Sequence, residues 1–373
     1  MRKLHSFLIN GALVAASIGV SVLLLEIGLR VGGYKMREAR LLCLDGVIGN
    51  VFCPGVKAAI SNQNGGTITV AINSEGMADH EYTRTKPPGT TRVALLGDSV
   101  AASIYTPAEE KFKTLWEVGL STSLKHAVQV MNFAVDGQGT WDELQLFHLR
   151  ARHFKPDFVV LAFYWGNDTW NNTTLRDKGR PNPLKDEYPE PTGLRKLQVQ
   201  HRFAIRWLWN HSAAYQFLDD LKETIEQTRS YQAGMKVVPS EDKDGSPPLI
   251  YDGAFDWDSD AWQLSRELIL KLQKESEQAR AKLIVFHLPT LDQITKPQPL
   301  PYRKFRQFLD RNNIANVDAF DSLEKLPDAE KRDLYVADHW HLSTRGHRFV
   351  AEATLPKLRA IIGGPSSPSS AKD

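Results

Sequence analysis

The chain has 373 residues, 42% of them apolar and 24% charged, a globular balance that excludes a disordered chain and allows one large domain or two modest ones. Lys and Arg number 46 against 44 Asp and Glu, a net charge of +2, which lacks the basic excess of a nucleic-acid binder. Two cysteines exclude a disulfide-built scaffold and a four-cysteine zinc site.

Residues 7–25 form a nineteen-residue run of apolar and small side chains, interrupted only by Asn10, Ser17 and Ser21 and free of charge. At about 1.5 Å per residue such a helix spans roughly 28 Å, close to the hydrocarbon thickness of a bilayer. A cleaved signal peptide would have a shorter apolar core followed by a small-x-small cleavage site. The chain continues instead through Glu26, Ile27, Gly28, Leu29 and Arg30, so residues 1–30 read as an uncleaved membrane anchor. Arg2 and Lys3 precede the segment, while Arg30, Lys35, Arg37 and Arg40 follow it. A bare count places the following domain in the cytoplasm, yet long domains are translocated despite such charges. Cys43 and Cys53, ten residues apart, could close a disulfide in an oxidising compartment or stay as two buried thiols.

Residues 31–90 read as a linker and N-terminal extension. Beyond them, continuous apolar runs at 92–96, 128–135, 158–164, 283–288 and 314–317 suit strands buried on both faces of a parallel sheet. Helical patterns alternate with them. Thr106, Pro107 and Glu109 resemble a capping box with proline at the first helical position, and Phe112, Trp116, Leu120 and Leu124 then recur every four residues. Residues 144–153 and the Leu264, Leu268, Leu272 series predict two more helices. A last helix should follow Ser343 as N-cap, with Pro356 expected to kink or shorten it. The βαβα order predicts a three-layer α/β/α sandwich around a flavodoxin-like parallel sheet of about five strands, preceded by the single transmembrane helix. Residues 170–257, punctuated by Pro181, Pro183, Pro189, Pro191, Pro239, Pro247 and Pro248, read as an insertion over the sheet's edge. Residues 363–373 read as a frayed Ser/Pro-rich tail.

Open α/β sheets bind ligands beyond the carboxyl ends of their strands. The first such end carries Gly97, Asp98 and Ser99, the second Asp136, Gly137, Gln138 and Gly139, the third Gly166, Asn167 and Asp168; Asp338 precedes His341 by three just before the final helix. A serine hydroxyl is a weak nucleophile unless a base lies in hydrogen-bond reach and a third group orients that base. Ser99, His341 and Asp338 can fill those three roles. Acyl transfer also needs donors aimed at the developing oxyanion, which the Ser99 N–H, the Gly137 N–H and the Asn167 side-chain amide can supply. A side chain at Gly137 would obstruct the approaching tetrahedral centre.

This set, in this order, resembles the SGNH (GDSL-like) hydrolase superfamily. Gly97-Asp98-Ser99-Val100 is similar to its nucleophile block, residues 132–137 to its glycine block, Gly166-Asn167-Asp168 to its asparagine block, and Asp338-His339-Trp340-His341 to its Asp-x-x-His block. Val100 departs from the usual leucine. The resemblance covers roughly residues 93–353 apart from the insertion, and assigns 91–362 as the hydrolase-like domain. The anchor ending Leu25-Glu26-Ile27-Gly28-Leu29-Arg30 and the later Asn73-Ser74-Glu75-Gly76 are similar to membrane-anchored bacterial members. The resemblance implies Ser99, Asp338 and His341 as catalytic residues, and Ser99, Gly137 and Asn167 as the oxyanion hole. It implies esterase, lipase, thioesterase or carbohydrate O-acyl hydrolase activity, with acyl transfer in some members. Together with the domain's size and the cysteine pair, it places the domain on the periplasmic side of a bacterial inner membrane.

Other residues have plainer readings. Asp98 and Asp168 should brace their loops by bonding backbone; His339 and His347 read as structural. His148, His153 and His287 lack paired ligand spacing, so neither metal nor cofactor is expected. Trp141, Trp165, Trp170 and Trp340 lie close to the motif blocks, where aromatic faces would suit a sugar ring, although tryptophan equally fills cores. The sequence thus reads as a membrane-anchored serine hydrolase cleaving an ester through an acyl-enzyme, with an O-acyl group on an envelope carbohydrate as expected substrate. An O-acyltransferase with the same triad, or an inactive glycan-binding protein, are the alternatives. Intact Ser99, Asp338 and His341 oppose the last.

Overall fold

The computed structural model describes residues 2–36, 40–62, 65–232, 256–295, 301–337 and 340–364. They fall into two compact units, one within Met1–Arg40 and Gln200–Met235, the other within Leu41–Val199 and Lys236–Asp373. Pro239, Pro247, Pro248 and nearly all of the expected tail lie outside the described residues.

The first unit is helical. The helix Arg2–Val31 contains a 23-residue segment, Ile9–Val31, with a mean hydropathy of 2.2, long and apolar enough to cross a membrane. Leu13, Ile18, Leu23 and Leu24 are exposed along it. Two amphipathic helices, Arg202–His211 and Ala213–Gln232, complete the unit. A helix start leaves N–H groups without intrahelical partners. Here Glu26 accepts from Ala213 N at 3.1 Å, Ala214 N at 2.9 Å and the Ser212 hydroxyl at 2.8 Å. Tyr34 adds a 2.6 Å hydrogen bond to Asp220.

The second unit begins with two antiparallel hairpins, β1 (Leu42–Leu44) with β2 (Asn50–Phe52) and β3 (Lys57–Ser61) with β4 (Thr67–Ala71). Cys43 and Cys53 are joined by a disulfide across the first hairpin, and both are buried. Five parallel strands follow: β5 (Thr91–Gly97), β6 (Val128–Asn132), β7 (Phe158–Tyr164), β8 (Lys282–Leu288) and β9 (Ala315–Asp318). They lie side by side as β6-β5-β7-β8-β9, the doubly wound order in which the chain reverses direction at its first strand. β6 is shorter than the apolar run predicted. Asn132 Oδ1 takes the Ala134 N–H at 3.1 Å, while Phe133 N and Val135 N still donate to the Leu95 and Gly97 carbonyls of β5 at 2.8 and 3.0 Å.

Alternate residues of each strand enter opposite cores. Val93, Leu95, Val160, Ala162, Ile284 and Phe286 pack with Phe112, Trp116, Leu120, Val350 and Leu358 on one side. Ala94, Leu96, Val159, Leu161, Phe163 and Val285 pack with Leu144, Phe147, Trp262, Leu268 and Leu272 on the other. The helices Phe112–Leu124 and Thr344–Ile362 therefore cover one face, and Thr140–Leu149 and Asp260–Gln278 the other. This is the predicted three-layer sandwich. Each fully buried leucine in it contributes roughly 1.5–3 kcal/mol.

Three local expectations need correction. The capping box does not form: Ala108–Glu110 is a single 3₁₀ turn, extended Lys111 interrupts it, and the α-helix starts at Phe112 without a side-chain cap. The predicted 144–153 helix begins at Thr140 and ends at Leu149, where Arg150 leaves helical geometry before the 3₁₀ turn Ala151–Phe154. The last helix runs through Pro356 to Ile362, unshortened, while Ser343 caps it by accepting from Gly346 N at 3.1 Å.

Candidate active site

The nucleophile candidate sits where β5 turns into the short helix Ser99–Ala102. A Cβ on Gly97 would lie 2.6 Å from Ala101 Cβ and 3.1 Å from Ala162 Cβ, so only glycine lets this helix fold back so tightly on its strand. Asp98 is fully buried and caps the turn by accepting from Val100 N at 2.9 Å. Ser99 is left half-buried at the strand's end, and its hydroxyl lies 2.9 Å from His341 Nε2. In the tautomer protonated on Nδ1, Nε2 accepts the serine proton.

His341 comes from the far end of the chain, and its loop is pinned from several sides. Val336 N donates to the His341 carbonyl at 3.0 Å and Ser343 N to that of Leu334 at 2.8 Å. Tyr335 pairs with Leu342 in a bridge. The Tyr335 hydroxyl reaches the Pro289 carbonyl at 2.8 Å, and the Tyr164 hydroxyl the Trp340 carbonyl at 3.1 Å. Asp338 and His339 lie outside the described residues.

Gly137 follows β6, the strand beside β5, and Asn167 follows β7, the strand on its other side. Gly137 is exposed with φ +75°, and a Cβ there would meet no protein atom within 4 Å. Its requirement for glycine is therefore conformational, and no crowding by the protein adds to it. Gly139 has the opposite reason: its Cβ would come 2.9 Å from Asn171 Cβ and 3.0 Å from Asn172 Oδ1. It lets this loop lie against the helix Asp168–Asp177, where Trp141 N donates to Asn172 Oδ1 at 2.8 Å. Asp168 braces its own turn by accepting from Tyr164 N at 2.9 Å, as its position suggested.

Burial dominates the electrostatics around the serine. It pushes the Asp98 carboxyl up to about 7, against the opposing pull of the Val100 N–H, His341 and the Asn167 amide. Burial likewise raises Asp136 to about 6, opposed by the charges of His341 and Lys111. Lys111, 5% exposed, is lowered to about 8 by burial and donates to the Ala102 carbonyl at 3.2 Å. Both carboxyl groups interact electrostatically with His341. Sequence reasoning noted Asp136 only as part of a strand end and did not single out Lys111 or Tyr105, whose ring stands edge-on to His341 at 6.4 Å. Only the fold brings these side chains to the site.

The remaining candidates separate by burial. His347 is buried, stacks on Phe112 at 5.5 Å and is lowered to about 3 by burial, a structural residue as expected. Trp141 and Trp165 are core residues, contrary to a sugar-platform role; Trp165 packs among Phe163, Trp262 and Phe305. Trp170 and Trp340 stay half-buried. Among the described residues no group of three or more His, Cys, Asp and Glu is arranged to hold a metal ion.

No family model matches the chain, and no curated protein matches its sequence. Solved structures similar to it include a lipase/acylhydrolase from Enterococcus faecalis, with TM-score 0.40 and 13% identity over 73% of this chain and 96% of that one. A psychrotrophic esterase, EstA, from Pseudoalteromonas sp. gives TM-score 0.40 and 11% identity over 74% of this chain and 100% of that one. A GDSL-like lipase from Bacteroides thetaiotaomicron gives TM-score 0.36 and 11% identity over 73% and 88%.

Proposed function

We propose that this protein is a serine hydrolase that cleaves an ester through a covalent acyl-enzyme. The observation that carries the reading is the 2.9 Å contact between Ser99 Oγ and His341 Nε2 at the carboxyl end of β5. His341 takes the hydroxyl proton as Ser99 Oγ attacks the ester carbonyl, and returns it to the leaving alkoxide. Asp338, three residues before His341 in the sequence, is assigned the role of orienting that base. The Ser99 and Gly137 N–H groups and the Asn167 amide, from three adjacent strand ends, receive the developing oxyanion. Water then attacks the acyl-enzyme with His341 as base, restoring the serine.

The substrate in this reading is an O-acyl group on a cell-envelope carbohydrate. The Tyr105 ring, 37% exposed, stands edge-on to His341 at 6.4 Å, and such a face suits a sugar ring. The helix Arg2–Val31 is the membrane anchor and 91–362 the catalytic domain, with 170–257 inserted. The Cys43–Cys53 disulfide favours the periplasmic side of an inner membrane, since such a bond persists outside the reducing cytosol. Thiol alkylation of freshly lysed cells that modifies both cysteines without reductant would place the domain in the cytosol.

A fluorophosphonate probe tests the chemistry. It should label the wild-type protein, and Ser99→Ala should abolish labelling; persistent labelling of the variant would remove Ser99 from its role. Acetate release from an O-acetylated glycan, compared with a simple aryl ester, then tests the substrate class.

A further inference from the structure

The helices Arg202–His211 and Ala213–Gln232 expose more large apolar surface than a water-facing element should. Phe203, Trp207 and Leu208 are 48%, 58% and 41% exposed, and Phe217, Leu218, Leu221 and Ile225 are 37%, 51%, 48% and 43% exposed. Both sets follow helical spacing: 203 and 207 are four apart, as are 217, 221 and 225. Each helix therefore carries one apolar stripe. The opposite faces are committed elsewhere within the unit. Trp209 is buried and donates to Asp219 at 3.1 Å, and buried Gln216 donates to the Trp209 carbonyl at 2.8 Å.

What covers the apolar stripes is indicated by where they are fastened. Glu26 of the apolar N-terminal helix receives the first N–H groups of Ala213–Gln232, and the Arg30 guanidinium reaches the His211 carbonyl at 2.8 Å. Glu26 stands five residues before Val31, or about 7.5 Å along the helix axis. The segment Ile9–Val31 has 23 residues, some 35 Å of helix against roughly 30 Å of hydrocarbon. The junction thus falls at the edge of the hydrocarbon layer, the depth of about 5–10 Å at which interfacial amphipathic helices bury their apolar face. Arg202 and Arg206 beside the stripe, and Tyr34 three residues past the helix end, are of the types that settle at headgroup level.

We propose that Arg202–His211 and Ala213–Gln232 form a second membrane contact, lying in the bilayer interface with Phe203, Trp207, Leu208, Phe217, Leu218, Leu221 and Ile225 facing the acyl chains. This rests on the reading of Arg2–Val31 as a membrane anchor. The domain is then attached to the bilayer by a spanning helix and a collar.

Full-length protein in liposomes of phosphatidylethanolamine and phosphatidylglycerol tests this. An environment-sensitive fluorophore is attached at Leu208→Cys or Leu221→Cys, without reductant so that Cys43 and Cys53 stay paired. The collar probes should shift to the blue relative to the same fluorophore on a free thiol in buffer, and lose intensity when the lipid acyl chains are brominated. Protein that co-floats with liposomes but keeps both collar probes aqueous overturns the collar and leaves the anchor standing. Blue-shifted probes untouched by brominated lipid mean that a second copy covers the face, which also overturns it. Failure to co-float after carbonate washing overturns the anchor and the collar together.

Discussion

His287 offers a prediction whose sign and size follow from its surroundings. It projects from β8 into the core, 0% exposed, with neither ring nitrogen hydrogen-bonded. Trp165 stacks on it at 6.0 Å, and Phe305 and Tyr302 lie at 5.2 and 5.5 Å. Burial lowers its pKa from 6.5 to about 3. The folded state therefore keeps it neutral, while the unfolded chain binds a proton below pH 6.5. Stability is lost as pH falls through that window, at about 1.4 kcal/mol per pH unit. Between pH 6.5 and pH 5 the loss is about 2 kcal/mol. His287→Phe removes the titration. Its offset in stability mixes the relief of unpaired nitrogens, about 1–3 kcal/mol, with overpacking by the larger ring, about 1–3 kcal/mol against it. The slope with pH is free of that mixture. Asp98 and Asp136, raised by burial, and His347, lowered by it, remain in both proteins and cancel in the difference. Urea unfolding of full-length protein in detergent, followed by tryptophan fluorescence at pH 8 and pH 5, should show the variant gaining about 2 kcal/mol over wild type at the lower pH. A difference independent of pH would mean that the imidazole is solvated or protonated in the fold, and the reasoning would fall.

Asn167→Ala should lower kcat by roughly a hundredfold to a thousandfold with the fold intact; steady-state kinetics showing only a raised KM would make Asn167 a substrate contact. Gly137→Ala forces a side chain onto φ +75°, costing about 1–2 kcal/mol of local backbone strain, and should reduce kcat and lower the melting temperature by a few degrees. Ser99→Ala and the double variant with His341→Ala should retain similar residual hydrolysis, because the two act as one unit; a double variant weaker by the product of the single effects would separate them. Arg92, 0% exposed, donates to Phe154 O, Thr83 O and Gln129 Oε1 at 2.8, 2.6 and 2.8 Å. Arg92→Met should therefore destabilise by at least the ~1–3 kcal/mol of one orphaned buried acceptor, seen in the urea midpoint.

The sheet was legible because its strands are buried on both faces: the run 158–164 matches β7 residue for residue. Boundaries failed at single residues: β6 stops at Asn132 although the chain stays hydrogen-bonded to β5 as far as Val135, and extended Lys111 separates the 3₁₀ turn from the helix that starts at Phe112. Ser99 and His341 were legible as motif residues, and the fold brings them within hydrogen-bond distance. Asp136 and Lys111 were not, since a lone acid or lysine acquires significance only from what it is buried beside. The tryptophans misled for the same reason: Trp141 and Trp165 flank the motif blocks in sequence yet point into the core. The attachment of Ala213–Gln232 to Glu26 was not legible, because 187 positions separate Glu26 from Ala213.

The serine–histidine contact has a consequence for the protein's birth. It joins residues 242 positions apart, and at about 5–20 residues per second of synthesis the serine leaves the ribosome tens of seconds before its histidine exists. An unfinished chain displays the serine but has nothing to take its proton. In the proposed mechanism the segment carrying His341 therefore arms the serine, and termination upstream of His341 would leave Ser99 without its base.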